Sequence, residues 1–370
     1  NIKNVFNLMK KTIAILGSTG SIGVTLLNIL QSNKKKFKIH LLSADKNYIK
    51  LHKQAKKFNV KNLIIKDKES YFKLKSYNKD KNIKIYNNFN SLAKIFTKKM
   101  DYTMNAITGI DGLTPTLKII KHTKKIVIAN KESIICGWNL IKNQLKKNKS
   151  LFIPVDSEHF TIWYALQNQS TKNIEKILIT ASGGSLLNIP KEKFKTLNIK
   201  KVLNHPNWKM GKKITVDSAT MMNKVFEVIE AKKIFNLNFK KISIIVNPSS
   251  YIHSIIKFNN GLIKIIAHET TMKIPIFNTI YSDNEKKINS AKIDIDSLNN
   301  LNLQTVDKKK FPHVKILSQI PDKNSLFETI LVVVNDELVK LFLEKKIKFN
   351  DISRLFFKII NLKEFQKYKK

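Results

Sequence analysis

Through its first 155 positions the chain alternates short runs of branched apolar residues with longer stretches in which apolar residues return every three or four places. The runs within KTIAILG, FKIHLLSADKN, KNLIIKD, IKIYNN, YTMNAIT and KKIVIAN read as buried strands. Strands that alternate with helices predict a parallel, doubly wound sheet, here a Rossmann-like domain over residues 9–155. From LFIPVDSEH onward the rhythm changes. KILITAS, KITVD, ISIIVN and LIKIIAHE read as strands, and one long helix is expected to open near Ser218, with Ser218 as its N-cap. This predicts a central α+β domain over 156–285 that includes a flexible loop. Residues 286–310 are polar and irregular enough for a linker, and 311–370 carry helical spacing that suggests a small helical domain. The predicted class is α/β: a Rossmann-like sheet, a central α+β catalytic domain and a C-terminal helical domain.

Composition narrows the function classes. Hydrophobic residues make up 42% of the 370, which excludes a largely disordered chain. The longest apolar runs, such as ILVVV, are far too short to cross a bilayer, and the N-terminus lacks an apolar signal region. Cys136 is the single cysteine, so internal disulfides are excluded and a cysteine-based zinc site is disfavoured. A reducing cytoplasm is the expected location, with no membrane partner. The net charge of +41 points toward polyanions, but all of the 68 basic residues except Arg354 are lysine, spread along the chain. Readers of nucleic acid exploit the planar guanidinium fork. The pattern reads instead as drift in an AT-rich, reduced genome, and no specific nucleic-acid partner is expected.

Several stretches could carry chemistry. GSTGSIG places Gly17, Gly20 and Gly23 between strand and helix, where backbone amides can approach a pyrophosphate. Its spacing is G-x-x-G-x-x-G; a ligand-free tight turn is the plainer alternative. Lys46 and Asn47 follow the second strand, where an adenosine ribose or its 2′-phosphate would lie, while Asp45 favours a free 2′-hydroxyl. Asn130, Lys131 and Glu132 end a strand, at the edge where α/β sheets bind ligands. Asp156 and Glu158, two apart on an extended backbone, would point to one side and could hold a hard cation, which wants about six oxygens. Asn223 and Glu227 are four apart and share a helix face, with Lys224 adjacent. TASGGS sets Ser182 beside Gly183 and Gly184 in a loop suited to an anion. NHPNWKMGKK gathers His205, Trp208, Met210 and Gly211, and reads either as a mobile cover over a substrate or as a surface loop with one tryptophan.

The order of these motifs is more specific than any one of them. GSTGSIG, ANKES, PVDSEH, ASGG, HPNWKMGKKITVDSATMMNK, EVIEA and IHS together resemble the 1-deoxy-D-xylulose 5-phosphate reductoisomerase family, from about Met9 to Ile276 and more faintly to residue 355. The resemblance implies an NADPH-dependent oxidoreductase of the non-mevalonate isoprenoid pathway that uses Mg²⁺ or Mn²⁺. It implies Asp156, Glu158 and Glu227 as metal ligands. Ser182, Ser218, Asn223 and Lys224 match phosphate contacts, and Ser157, Glu158, Lys131, His205 and Glu227 match positions at the substrate. Among these, Lys131, Glu158 and His205 are implied to be catalytic. Trp208 matches the tryptophan of a lid. Thr19, Gly20, Ser21, Ile22, Lys46, Asn47, Asn130, Glu132 and Gly211 match NADPH-contacting positions. The implied reaction moves a carbon–carbon bond of the phosphorylated sugar and then reduces the resulting aldehyde to 2-C-methyl-D-erythritol 4-phosphate. The family is homodimeric, which is the expectation here.

The sequence departs from the family pattern at several points. GGPF is GGSLL, Val225 replaces the glycine after NK, Asn247 replaces a histidine, and Asp45 stands where a small residue is usual, which bears on NADPH strictness. HETTMKIP keeps Met272 and Pro275 but loses neighbours, and the C-terminal part is eroded. MKKTIAILG from Met9 matches the usual family start, so Asn1–Leu8 are expected to lie outside the fold. Two other readings are a related NAD(P)-dependent reductase or decayed homologue, which would show damage among Asp156, Glu158, Glu227, Lys131 and His205, and a polyanion-binding module, which would concentrate charge on one face. The acids, lysine and histidine are all present.

Overall fold

The computed structural model describes residues 10–281 and 287–370, so the expectation for Asn1–Leu8 lies outside the described residues. The chain forms two units, one of Asn1–Asp156 with Met272–Ile288, the other of Ser157–Thr271 with Asn289–Lys370.

The first unit is built on strands β1 (Lys11–Leu16), β2 (Phe37–Ala44), β3 (Asn62–Ile65), β4 (Lys84–Tyr86), β5 (Tyr102–Asn105), β6 (Lys125–Ile128) and β7 (Leu151–Pro154). They pair in the order β4-β3-β2-β1-β5-β6-β7, and every pairing is parallel. Sheets buried on both faces need continuous apolar strands, and Ile13 to Leu16 of β1 are fully buried. Strand order reverses between β1 and β5, the position at which such sheets open a crevice for ligands. Helices α1 (Ser21–Gln31), α2 (Tyr48–Phe58) and α3 (Lys131–Asn148) follow β1, β2 and β6. After the second unit's first segment the chain returns with the helix Lys273–Ile280, where Thr279 Oγ1 and the Tyr102 hydroxyl meet at 2.9 Å.

The second unit holds β8 (Ile174–Ala181), β9 (Ile242–Val246), β10 (Ile252–Phe258), β11 (Ile263–Ala267) and β12 (Gln304–Thr305), ordered β11-β10-β8-β9-β12. Helix α4 (Ser157–Ala165) and helix α6 (Met222–Phe235) supply Ile162, Val228 and Phe235 to a core shared with Ile177, Ile179 and Ile256 of the sheet. Full burial of each such side chain contributes roughly 1.5–3 kcal/mol. Helices α7 (Phe327–Leu343) and α8 (Phe349–Ile360) supply the helical spacing expected at the C-terminus.

Three local readings are corrected. KITVD is not a strand: it lies in helix α5 (Lys212–Ala219), begun by Gly211 and braced by an i,i+4 pair between Lys213 and Asp217 at 2.9 Å. Ser218 therefore sits inside α5 and does not cap the following helix, whose N-cap is Met221. Asp156 and Glu158 do not share an extended strand, because β7 ends at Pro154 and Glu158 lies in the first turn of α4. YIHSIIKF, read only for its IHS motif, contains the strand β10 between β11 and β8. Residues expected as irregular linker add the edge strand β12 to β9. No helix among the described residues is long and apolar enough to cross a membrane.

Candidate active site

In the first unit the glycine turn joins β1 to α1, with Gly20 at the helix N-cap and Ser21 and Ile22 opening the first turn. Gly17 has φ +79°, and a Cβ there would lie 2.6 Å from the carbonyl oxygen of Ala106. Only glycine fits, so the turn passes close beneath β5 and leaves the N-terminus of α1 open. Thr19 presents its carbonyl to Lys50 Nζ at 2.8 Å. Lys46 precedes Asn47, whose Oδ1 accepts from the Lys50 amide at 3.0 Å and caps α2. Asn130 likewise caps α3, accepting from the Ser133 amide at 2.6 Å, while its amide group donates to the carbonyls of Ile107 and Gly109. These asparagines have structural work that does not need a ligand. Lys131 and Glu132 are buried in the first turn of α3, and Lys131 Nζ lies 2.9 Å from Asp156 Oδ2.

In the second unit the side chains converge on the N-terminal ends of α4 and α6. Lys224 Nζ contacts Glu158 Oε1 at 2.7 Å and Glu227 Oε2 at 2.5 Å, and all three residues are buried. Burial works against the Lys224 ammonium, but Glu158 and Glu227 outweigh it and hold its pKa above the ordinary lysine value. Ser157 Oγ donates to Glu158 Oε2 at 2.5 Å, and Asn223 Nδ2 donates to Glu227 Oε1 at 2.5 Å. Asp156 directly precedes α4, so the peptide chain itself keeps it beside Glu158. One carboxylate oxygen from each of Asp156, Glu158 and Glu227 lies within 4.8 Å of the other two. Glu158 and Glu227 together outweigh the single Lys224 ammonium between them, and an all-oxygen donor set suits a hard divalent cation.

Beside this cluster stands a second arrangement. His205 Nδ1 accepts from the backbone amides of Asn207 at 3.1 Å and Trp208 at 3.0 Å. Burial, with the nearby Lys224 charge, pushes the His205 pKa down to about 4, so the ring is neutral near pH 7. The proton of that neutral ring is then on Nε2, which faces Ser182 Oγ at 3.0 Å. The Gly184 amide also donates to Ser182 Oγ, at 3.1 Å. A hydroxyl that accepts twice from fixed donors has its own hydrogen left to give outward. Gly184, at φ +68°, lets this loop approach Ser218, whose carbonyl oxygen a Cβ there would meet at 2.7 Å. Trp208 packs its ring edge-on to His253 at 6.2 Å, and Gly211 forms the N-cap of α5.

The structure adds residues that the sequence reading did not single out. His159 Nε2 bonds the Glu227 carbonyl at 2.8 Å, and its Nδ1 lies 3.4 Å from Glu230 Oε2. Asp156, His159 and Glu230 likewise each place one ligand atom within 4.8 Å of the other two. His253 stacks on His268 at 3.8 Å, and burial, then the neighbouring His268, lowers its pKa to about 3. The repeated acid in EVIEA, at i and i+3 on α6, was the available signal for Glu230. His268 opens the HETTMKIP stretch, but its pairing with His253 could not be read locally.

Comparison with known proteins identifies the family. Family profiles described as 1-deoxy-D-xylulose 5-phosphate reductoisomerase match residues 13–137, and those of its C-terminal domains match 152–235 and 268–370. The chain is 59% identical to 1-deoxy-D-xylulose 5-phosphate reductoisomerase of Pelagibacter ubique, covering 97% of this chain and 93% of that protein. It is 35% identical to the enzyme of that name from Sulfurihydrogenibium, covering 96% and 92%. The crystal structure of DOX-P reductoisomerase in complex with NADPH, fosmidomycin and magnesium superposes with a TM-score of 0.88 at 30% identity, covering 96% and 90%. The Zymomonas mobilis enzyme in complex with NADPH gives 0.86 at 30%, covering 95% and 91%. With matches running through nearly all of its length, this chain belongs to the 1-deoxy-D-xylulose 5-phosphate reductoisomerase family.

Proposed function

We propose that the residues gathered above carry out the family's reaction, conversion of 1-deoxy-D-xylulose 5-phosphate to 2-C-methyl-D-erythritol 4-phosphate in isoprenoid synthesis. The protein is an NADPH-dependent oxidoreductase that uses a divalent metal. The observation that carries the residue assignment is the buried cluster of Glu158, Lys224 and Glu227, with Asp156 joined to it through the start of α4. Asp156, Glu158 and Glu227 would hold Mg²⁺ or Mn²⁺, which supplies Lewis acidity toward the sugar's carbonyl and hydroxyl oxygens. NADPH, assigned to Thr19, Gly20, Ser21, Ile22, Lys46, Asn47, Asn130, Glu132 and Gly211, supplies hydride.

The chain's own groups bind and orient. Ser182 gives its free hydrogen to a phosphate oxygen, because His205 and Gly184 already occupy its acceptor sites. Ser218 and Asn223 add donors, and Lys224 adds charge at the shared border of the phosphate and acid sites. Fixing the phosphate converts binding energy into orientation of the reacting carbons. Ser157 positions Glu158 and stands at the substrate, and Lys131 stabilises or exchanges protons with substrate oxygens beside Asp156. Trp208, carried on the loop that also anchors His205, excludes water when substrate is bound. A homodimeric assembly and a cytoplasmic location complete the reading, each by analogy with the family; of the expected division at 9–155, 156–285, 286–310 and 311–370, the boundary at 285 gives way to the return of the helix Lys273–Ile280 to the first unit.

The test follows NADPH oxidation with deoxyxylulose phosphate, with and without Mg²⁺ or Mn²⁺, in the wild type and in Glu227→Gln. Turnover should require metal and vanish in the variant, while NADPH binding persists. Wild-type rates in Glu227→Gln would remove this residue from the metal shell.

A further inference from the structure

We infer that Asn335 and Asp336, on the C-terminal helix α7, are positioning residues for the Ser218 corner and act on it through Asp217 and Lys213. Asp217 is 1% exposed and sits one residue before Ser218 in α5. Its two carboxylate oxygens have separate partners. Oδ1 accepts from Asn335 Nδ2 at 2.8 Å, a buried bond spanning 118 residues, and Oδ2 lies 2.9 Å from Lys213 Nζ. The same ammonium reaches Asp336 Oδ1 at 2.8 Å. A buried carboxylate with a partner on each oxygen cannot turn, so α5 is fixed in roll and in height against α7.

The corner that follows has reason to need this clamp. Helix α5 ends at Ala219, and the chain reverses through Met221, a buried residue with φ +63° that is not glycine. Such a left-handed residue costs on the order of 1–3 kcal/mol and persists only where its surroundings hold it. Immediately beyond it, α6 presents Asn223, Lys224 and Glu227. Lys213 stands two residues after Gly211, where the loop bearing Trp208 ends. The network therefore ties the end of that loop and the start of the phosphate site to a helix more than a hundred residues away. Neither Asn335 nor Asp336 is proposed to touch substrate. Their effect is on the angle at which the Ser218 hydroxyl is offered, to which bound geometry is steeply sensitive.

The inference rests on the reading of Ser218 as a phosphate contact, and the experiment separates the two. Full-length Ser218→Ala, Asn335→Ala, their double variant and the exchange pair Asp217→Asn/Asn335→Asp would be compared by KM for deoxyxylulose phosphate, KM for NADPH and melting temperature. Ser218→Ala should raise the substrate KM about 10-fold, the loss of one hydrogen bond to a charged group. Asn335→Ala should raise it about 5-fold with the NADPH KM unchanged, and the double variant should be no worse than Ser218→Ala, because coupled residues do not add. The exchange pair restores a donor and an acceptor in reversed order and should recover most of the loss. Asp336→Ala, at a side chain 32% exposed, gives a milder version should Asn335→Ala fold poorly, raising the substrate KM about 2-fold or more. An unmoved KM in Ser218→Ala would overturn the phosphate reading and this inference with it. A normal response to Ser218→Ala, with Asn335→Ala and Asp336→Ala without effect or multiplying it, would overturn the positioning role alone.

Discussion

Replacing Lys224 by methionine removes one positive charge from a place where two carboxylates depend on it. Lys224 Nζ is 2.7 Å from Glu158 and 2.5 Å from Glu227, and the three side chains are 8%, 11% and 2% exposed. Deleting one partner of a buried pair typically costs about 3–5 kcal/mol, because the remaining charge stays buried without compensation. Here two acids lose the same partner, so the upper part of that range is expected. For a unit of this size each kcal/mol moves the melting temperature by about 2–4 °C, giving a drop of roughly 10–20 °C. The sign with pH follows from the raised pKa of Lys224. A lysine held above its unfolded value contributes its full stabilisation below that value and loses it only as pH rises through the folded pKa. The lysine's own contribution should therefore be constant from about pH 6 to 9.

Calorimetry of wild type and Lys224→Met, each with and without Mg²⁺, reads the effect. In the wild type a divalent cation must share Glu158 and Glu227 with the ammonium. In the variant it replaces the missing charge, so Mg²⁺ should raise the melting temperature more in the variant than in the wild type. A loss under about 1 kcal/mol, or equal Mg²⁺ shifts in both proteins, would refute the account of Lys224 as an internal counter-ion for the metal acids.

How much of this was legible depended on whether local pattern or distant contact fixed each element. The first unit's strands announced themselves because parallel strands buried on both faces are continuous apolar runs, as in β1 and β6. The second unit was harder. A short β-branched window such as KITVD fits strand or helix equally. What decides it is the Gly211 start, the Lys213–Asp217 pair and a bond from Asn335, of which the last cannot be read locally. β10 escaped notice because it carries His253 and Ser254 in buried positions. Their partners, His268 and Thr161, lie on separate elements. The site was visible as motifs, yet strand alternation does not account for the approach of Asp156 and Glu158. They approach through the turn into α4.

Two further outcomes bear on the separate units. Gly17→Ala must place a Cβ 2.6 Å from the Ala106 carbonyl at φ +79°, so it should cost about 1–3 kcal/mol from backbone conformation alone and weaken NADPH binding. Fluorescence titration showing unaltered NADPH affinity would separate the turn from the cofactor. His205, lowered to about 4 by burial and then by Lys224, should show no titration near its ordinary value of 6.5 when followed by NMR. Because its neutral form is the one the fold favours, its contribution to stability is complete above about pH 6.5 and is lost as pH falls toward about 4, where the folded protein also takes up the proton. Substrate affinity should fall in the same direction, since protonation at Nδ1 turns the acceptor of the Asn207 and Trp208 amides into a donor and releases the loop. A ring that titrates at 6.5, or a loop indifferent to that proton, would mean that Ser182 is not oriented by His205.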